Sequence, residues 1–434
     1  METKCFFNLT GFMKKQLAYK NSALFFERAD IAKIAKKIPT PFYLYSEKIL
    51  KDNYTNFYEA AKKAELHKPL VCFALKSNSN KSLLKILAKL GCGADIVSGG
   101  EFKRAVEAGI PTDKIVFSGV GKTREEIEYT LKASKHGPYS YNVESIEELE
   151  LIAGIAKKLK KKARICFRLN PVVQPKTHKY ISTGNKTHKF GMLLDDVFTA
   201  LENKDAWKHC TLVGLSIHIG SQLLDLKATK KAIENLCEAA LLMPNTLEFL
   251  DVGGGLGVDY HADETKKMPS LDTYMELIAK TFEKNYYAYR SQPIRVVFEP
   301  GRKISAKAGI FVMSVLRNKV SEENNFLIVD GGMNDFMRPS LYGAYHDLVP
   351  VKKATPKKAY HVVGPICETS DCFGSGRKLP ILKQDDLIVL ADTGAYGYSM
   401  GSNYNLRGRP TEVLFKDNGE LKIINKKQNY EELL

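Results

Sequence analysis

The sequence predicts an α/β barrel followed by an all-β domain, and three observations carry that prediction. Between residues 70 and 302, eight short runs rich in Val, Ile and Phe alternate with amphipathic stretches of helical period, the signature of repeated βα units. Capping residues punctuate the intervening stretches, and beyond Arg302 the helical pattern nearly vanishes. With 434 residues, 44% of them hydrophobic, the chain exceeds what one compact core usually holds, so a soluble protein of two domains is expected.

The strand candidates are LVCFAL, ADIVS, KIVFSG, YSYNV, ARICFRLN, VGLSIHIG, LEFLDVGGG and IRVVFEPG, beginning near residues 70, 94, 114, 139, 163, 213, 247 and 294. Between them, Thr123 and Ser145 each precede a glutamate three positions on, Glu126 and Glu148, as a capping box requires. Gly91 and Gly109 stand where a helix ends in a left-handed residue. In KSLLKILAKLG, Leu83, Leu87 and Leu90 fall on one face, which suits packing on a sheet. Eight such units match the (β/α)8 TIM barrel, typically ~250 residues long; a doubly wound open sheet is the alternative.

After residue 302 the strand candidates are GIFVMSVL, NFLIVDGG, AYHVVG and DLIVLAD, and FKDNGELKII reads as a hairpin around Asn418-Gly419. The expected division is therefore 1–44, a segment contributing to the β domain; 45–302, the barrel; and 303–434, a C-terminal β-barrel or sandwich. Within the first of these LFFER reads as a strand, and TPFYLYS reads as the lead-in to the barrel.

Sixty-five Lys plus Arg against 49 Asp plus Glu give a net charge of +16. The excess is spread out, and its densest run, KKLKKKAR at 157–164, reads as the solvated end of a helix. With no recognisable nucleic-acid module beside the charge, no nucleic-acid partner is expected. No apolar stretch approaches the ~18–20 residues needed to cross a bilayer. Glu2, Lys4, Lys14 and Lys15 interrupt the N-terminal apolar pieces, so a signal-peptide core is lacking. A cytoplasmic location and no membrane partner are expected. Cys5, Cys72, Cys92, Cys166, Cys210, Cys237, Cys367 and Cys372 show no paired rhythm, and the nine histidines no ligand spacing; neither disulfides nor a structural metal is expected.

In such barrels chemistry is done at the carboxyl ends of the strands. Here those ends carry Lys76, Asp95, His218 with Ser221, Gly253-Gly254-Gly255, and Glu299-Pro300-Gly301-Arg302. Triple glycine lets backbone N–H groups approach an anion closely, and the loops after strands seven and eight are the habitual phosphate site, although a tight turn would use the same residues. Taken alone, Lys76 reads as a surface charge. Together these groups are what pyridoxal 5'-phosphate needs: an amine for a Schiff base, a phosphate cradle, a ring-sized partner in His218, and an acid, Glu299, for the pyridine nitrogen.

The motifs FALKSNSN, GCGADIVSGGEFKRA, HKYISTG, IHIGSQ, LDVGGGLG, EPGR, RPSLYGAYH, GPICETSD and DTGAYGYSMGSNYN resemble, in order, those of the diaminopimelate decarboxylases, pyridoxal-phosphate enzymes with a barrel joined to a C-terminal β domain. The resemblance spans about residues 40 to 415. It implies that Lys76 anchors the cofactor covalently and that His218, oriented by Asp95, lies against the ring. It assigns Gly254, Gly255 and Ser221, with the Tyr396 hydroxyl, to the phosphate, Glu299 to the ring nitrogen, and Pro300 and Gly301 to the same loop. Cys367 becomes the proton donor to the product carbanion, a reasonable task for a thiol that is mostly protonated at neutral pH. Arg302, Arg338 and Tyr342 become the clamp on a distal carboxylate and Glu368 the partner of a distal ammonium. The implied reaction removes CO2 from meso-2,6-diaminopimelate to give L-lysine, in a homodimer with shared sites.

Two departures from the family pattern are Thr369-Ser370, where a Ser-Gly pair is usual, and NLRGRP at 405–410. Three competing readings stand: a decarboxylase of ornithine, arginine or a carboxylated polyamine on the same scaffold; a non-catalytic binding homologue; and a basic nucleic-acid binder. Retention of both Lys76 and Cys367 argues against the second.

Overall fold

The structure is a computed structural model that describes residues 16–173, 189–261 and 268–434. The motif HKYISTG and the stretch from His178 to His188 lie outside the described residues. The chain divides into two compact units. One comprises Lys48–Val258 and Met268–Ala306; the other comprises the described parts of Met1–Glu47 and Asp259–Lys267 together with Lys307–Leu434.

In the first unit all eight strand candidates form strands, and they close. Leu70–Ala74, Gly93–Ile96, Ile115–Phe117, Ser140–Val143, Ala163–Leu169, Cys210–Ile217, Phe249–Asp251 and Arg295–Phe298 make a parallel barrel. Strand eight pairs with strand one through Val297 with Leu70 and Phe298 with Val71. That closing register rules out the open sheet. The lumen is filled by Leu70, Cys72, Val116, Tyr139, Cys166, Val213, Phe249 and Val297, so the barrel is a packed core rather than a pore.

Local sequence sets the helix ends. The Thr123–Glu126 box is complete. Ser145 caps the Glu148 N–H, but the Glu148 carboxylate turns instead to the Lys122 amine at 2.6 Å and the Glu144 N–H at 3.0 Å. A wholly buried lysine side chain demands a charged partner more strongly than a helix end demands a second acceptor. Gly91 and Gly109 adopt φ of +85° and +95°. On helix Lys81–Lys89 the buried face is Leu83, Leu84, Ile86 and Leu87; Leu90 lies past the last turn and is 37% exposed, so it does not extend that face.

In the second unit, 309–320, 325–329, 358–363 and 387–390 form strands where the sequence places them, and 411–415 with 421–425 form the hairpin. The main sheet runs Cys372–Leu379, Lys358–Val363, Asn325–Val329, Gly309–Val320, Phe42–Ser46, Thr411–Phe415, Leu421–Asn425. Ala23–Phe26, which holds most of LFFER, lies in a separate three-stranded sheet. TPFYLYS supplies Phe42–Ser46, a central strand of this β sheet flanked on both sides, rather than a lead-in to the barrel. All five of its residues are buried, which a strand with both edges paired and both faces covered requires.

Gly214, on barrel strand six, tests the packing. A Cβ there would lie 2.5–2.8 Å from the Phe249 ring. Gly214→Ala is therefore expected to cost about 1–3 kcal/mol by overpacking, read as a lower denaturant midpoint.

Candidate active site

The barrel places ten of the residues singled out by sequence at or beyond its strand ends. Strand one stops at Ala74 and a single 3-10 turn, Leu75–Ser77, presents Lys76. Its amine donates to Asp95 Oδ2 at 3.0 Å, with the Asp95 side chain wholly buried and that of Lys76 36% exposed. The other Asp95 oxygen, Oδ1, is buried without a protein donor. The Gly254 N–H donates to His218 Nδ1 at 3.2 Å. Burial, then the positive charges of Lys76 and Arg168, hold the His218 imidazole well below its ordinary pKa, so the ring is neutral.

The triple glycine follows strand seven because nothing larger fits. Added Cβ atoms would meet Ile217 O at 2.3 Å from Gly253, Glu299 O at 2.1 Å from Gly254 and Gly220 O at 2.3 Å from Gly255. Gly253 and Gly255 also adopt φ of +69° and +107°, a region side chains avoid. The Glu299 N–H donates to Gly253 O at 2.9 Å, and Ala74 N–H to Pro300 O at 3.2 Å. At Gly301 a Cβ would lie 2.9 Å from that of Ser77. The loops after strands seven, eight and one are thus interlocked backbone to backbone. Arg302 is buried and donates to Ser221 Oγ from Nε at 3.2 Å and Nη2 at 2.9 Å.

Glu299 is buried and its Oε1 accepts from Ser118 Oγ at 3.2 Å and Asn142 Nδ2 at 3.3 Å. Burial, with the negative charges of Asp251 and Asp95, raises its pKa well above the carboxylate range. Asp251 was missed by sequence reasoning, although it sits inside LDVGGGLG. Its Oδ1 accepts from the Gly253 N–H at 2.8 Å, its Oδ2 has no protein donor, and burial raises its pKa to about 7. It neighbours Glu299, and two acids side by side away from water hold a proton between them. Ser118 and Asn142 were missed as well; the signal available was a polar residue ending one strand run and another inside the next.

A second buried pair, Arg168 with Glu144 at 2.6 Å, borders the same strand ends. The Glu144 carboxylate also accepts from the N–H groups of Gly119 at 3.1 Å and Gly191 at 2.7 Å.

The β unit carries the remaining five. Arg338 is buried and opens helix Arg338–Tyr342, whose last residue, Tyr342, is half-buried. Cys367 and Glu368 are exposed, and Tyr396 is half-buried with φ of +56°. Asp371 organises GPICETSD: its carboxylate accepts from the N–H groups of Met333 at 2.7 Å and Ile366 at 2.8 Å. Asn405, within the unusual NLRGRP, accepts the Cys367 N–H at 2.8 Å, and the unusual Ser370 offers its carbonyl to Ser340 Oγ at 2.6 Å. Both departures are therefore built into the loop. Cys367 and Cys372 are free thiols.

Residues 54–306 match the family model described as pyridoxal-dependent decarboxylase, pyridoxal binding domain, which defines the class of the barrel unit. The chain is 38% identical to the diaminopimelate decarboxylase of Aquifex aeolicus, with 96% of each covered, and 42% identical to that of Haemophilus influenzae, with 96% of this chain and 97% of that one covered. Among solved structures, diaminopimelate decarboxylase from Helicobacter pylori complexed with L-lysine aligns with a TM-score of 0.86 at 40% identity, covering 93% of this chain and 98% of that one. The M. jannaschii enzyme in co-complex with L-lysine gives 0.89 at 37% identity, with 96% of both covered. The chain belongs to the diaminopimelate decarboxylase family.

The Asp251 site has a pH signature. An unfolded aspartate loses its proton near 3.8, whereas the folded chain keeps it to about 7. The protonated site therefore contributes stability fully below about pH 4, and that contribution is lost as pH rises through about 7. Asp251→Asn keeps the shape and does not titrate. Its stability relative to the unsubstituted chain is expected to rise between about pH 5 and pH 8, measured by denaturant unfolding of the cofactor-free proteins.

Proposed function

We propose that this chain is a carbon–carbon lyase that removes CO2 from the D-configured centre of meso-2,6-diaminopimelate to give L-lysine, using pyridoxal 5'-phosphate, as the last step of lysine biosynthesis. The observation that carries the proposal is the Lys76 amine held at 3.0 Å by buried Asp95 in a barrel whose relatives are named for this reaction. The residues suit the cofactor. Asp95 has a buried oxygen in need of a donor, Gly253 to Gly255 present bare backbone packed too closely on the neighbouring loops for any Cβ, and a positive ring nitrogen would balance the acid at Glu299.

When bound, pyridoxal phosphate supplies a conjugated ring that takes up the electron pair left as CO2 departs. The chain does the rest. Lys76 would hold the cofactor through its amine, which Asp95 keeps in position. His218, neutral, offers a flat surface without an opposing charge. Glu299, ionised once a positive ring nitrogen lies beside it, stabilises that charge. Gly254, Gly255, Ser221 and the Tyr396 hydroxyl serve the phosphate, with Pro300 and Gly301 shaping the same wall. Cys367 gives its proton to the carbon that lost the carboxylate.

Substrate choice rests on Arg302, Arg338 and Tyr342 for the distal carboxylate and Glu368 for the distal ammonium. A guanidinium fork matches a carboxylate in two parallel hydrogen bonds. Ornithine lacks the second carboxylate and would leave those donors unpaired at a cost in transition-state binding. Cys367 and Glu368 are exposed on the single chain, whereas proton transfer and charge pairing gain from a water-poor site. That exposure supports the reading of a homodimer with shared sites, in which a second copy would cover them. Among the described residues no helix is long and apolar enough to cross a membrane, and the described cysteines are free, which supports a reducing, cytoplasmic setting.

Two outcomes test the proposal. The purified chain should release CO2 from meso-diaminopimelate and absorb near ~420 nm as a Schiff base does, and Lys76→Ala should lose both; turnover of ornithine but not diaminopimelate would overturn the substrate. Cys367→Ala should keep the absorbance while kcat falls by about 10²–10⁴-fold, read in a single-turnover CO2 assay.

A further inference from the structure

Arg338 is held by a histidine that the reading so far leaves without a task. His346 is wholly buried in the β unit, and both its ring nitrogens are engaged. Nδ1 lies 2.8 Å from Ala391 O, and Arg338 Nε lies 3.3 Å from Nε2. A carbonyl only accepts and a guanidinium only donates. Nδ1 therefore carries the proton and Nε2 the lone pair, so His346 is a neutral imidazole in one tautomer.

Its surroundings fix the ring as well. Tyr260 and Phe336 pack against it at 4.6 and 4.7 Å between centroids, and the Arg338 guanidinium lies 5.2 Å from the Tyr260 ring centroid. One backbone bond and one side-chain bond hold the same stretch: Ala391 N–H donates to Asp347 O at 2.9 Å, and Arg377 Nη2 donates to His346 O at 3.2 Å. A residue so placed cannot reorient without disturbing Ala391, which immediately precedes the DTGAYGYS segment leading to Tyr396.

We propose that His346 is a positioning residue for recognition of the distal carboxylate, holding Arg338 by Nε in the orientation that presents its fork. The inference rests on the reading of Arg338 given above. A neutral imidazole suits this task better than an acid, because it orients the guanidinium without itself cancelling the charge. Binding through Nε also leaves the two terminal nitrogens unconsumed by the histidine.

The test uses the cofactor-loaded enzyme and three single variants with one double. His346→Asn keeps a donor for Ala391 O but is too short to reach Arg338, whereas His346→Gln keeps an acceptor for Arg338. His346→Asn is expected to raise KM for meso-diaminopimelate about tenfold, with kcat and the cofactor absorbance held, and His346→Gln to recover most of that loss. Added to Arg338→Ala, His346→Asn should cost nothing further, because the two act as one unit. The inference is overturned if the two losses multiply in the double variant, or if His346→Asn lowers only thermal stability while KM stays put. Arg338→Ala with an unchanged KM would instead sink the reading of Arg338 itself, a result the single variant shows separately.

Discussion

The barrel mouth is organised by a balance of buried charge. Asp95, Asp251 and Glu299 reach the strand ends with almost no exposure, and the cations acting on them are Lys76 and Arg168. Three carboxylates cannot all stay ionised in such a place. The imbalance is resolved by the amine on Asp95, by a proton held between the other two acids, and by the hydroxyl and amide of Ser118 and Asn142 donating to Glu299. A cofactor with a positive ring nitrogen and an anionic phosphate fits that arrangement, since it adds a cation where acid is in excess and an anion where glycine backbone is close.

The same balance explains why the glycine loop is rigid. Asp251 ends strand seven and ties the first glycine down through its N–H, while the Glu299 N–H closes on that glycine's carbonyl. The acid chemistry and the loop geometry are thereby one structure, because moving either residue shifts the loop. His218 joins it from strand six by accepting the Gly254 N–H.

The β unit solves a different problem. Most of its functional residues lie on loops held by polar groups, Asp371 under the cysteine loop and Asn405 on the Cys367 backbone, while buried His346 backs Arg338 at the start of its short helix. Buried polar groups with every partner fixed rigidify what surrounds them. Thr369-Ser370 and NLRGRP differ from the commoner pattern without loosening this scheme, since Ser370 offers its carbonyl to Ser340 and Asn405 supplies the acceptor for the Cys367 N–H.

The sequence by itself determined the eight βα units, the change to strands after residue 302, and the polar residues that end each barrel strand. These are legible because hydrophobic period, capping residues and strand-end position are local properties. Only the tertiary structure decided that strand eight closes on strand one, that Phe42–Ser46 belongs at the centre of the β sheet, that Glu148 serves Lys122, and that Leu90 faces outward. It also decided that Asp95 holds the amine, and it found Asp251, Ser118, Asn142 and His346. Those assignments depend on which distant atoms share a buried volume, and burial is what turns an ordinary acid or imidazole into a group that must find a partner.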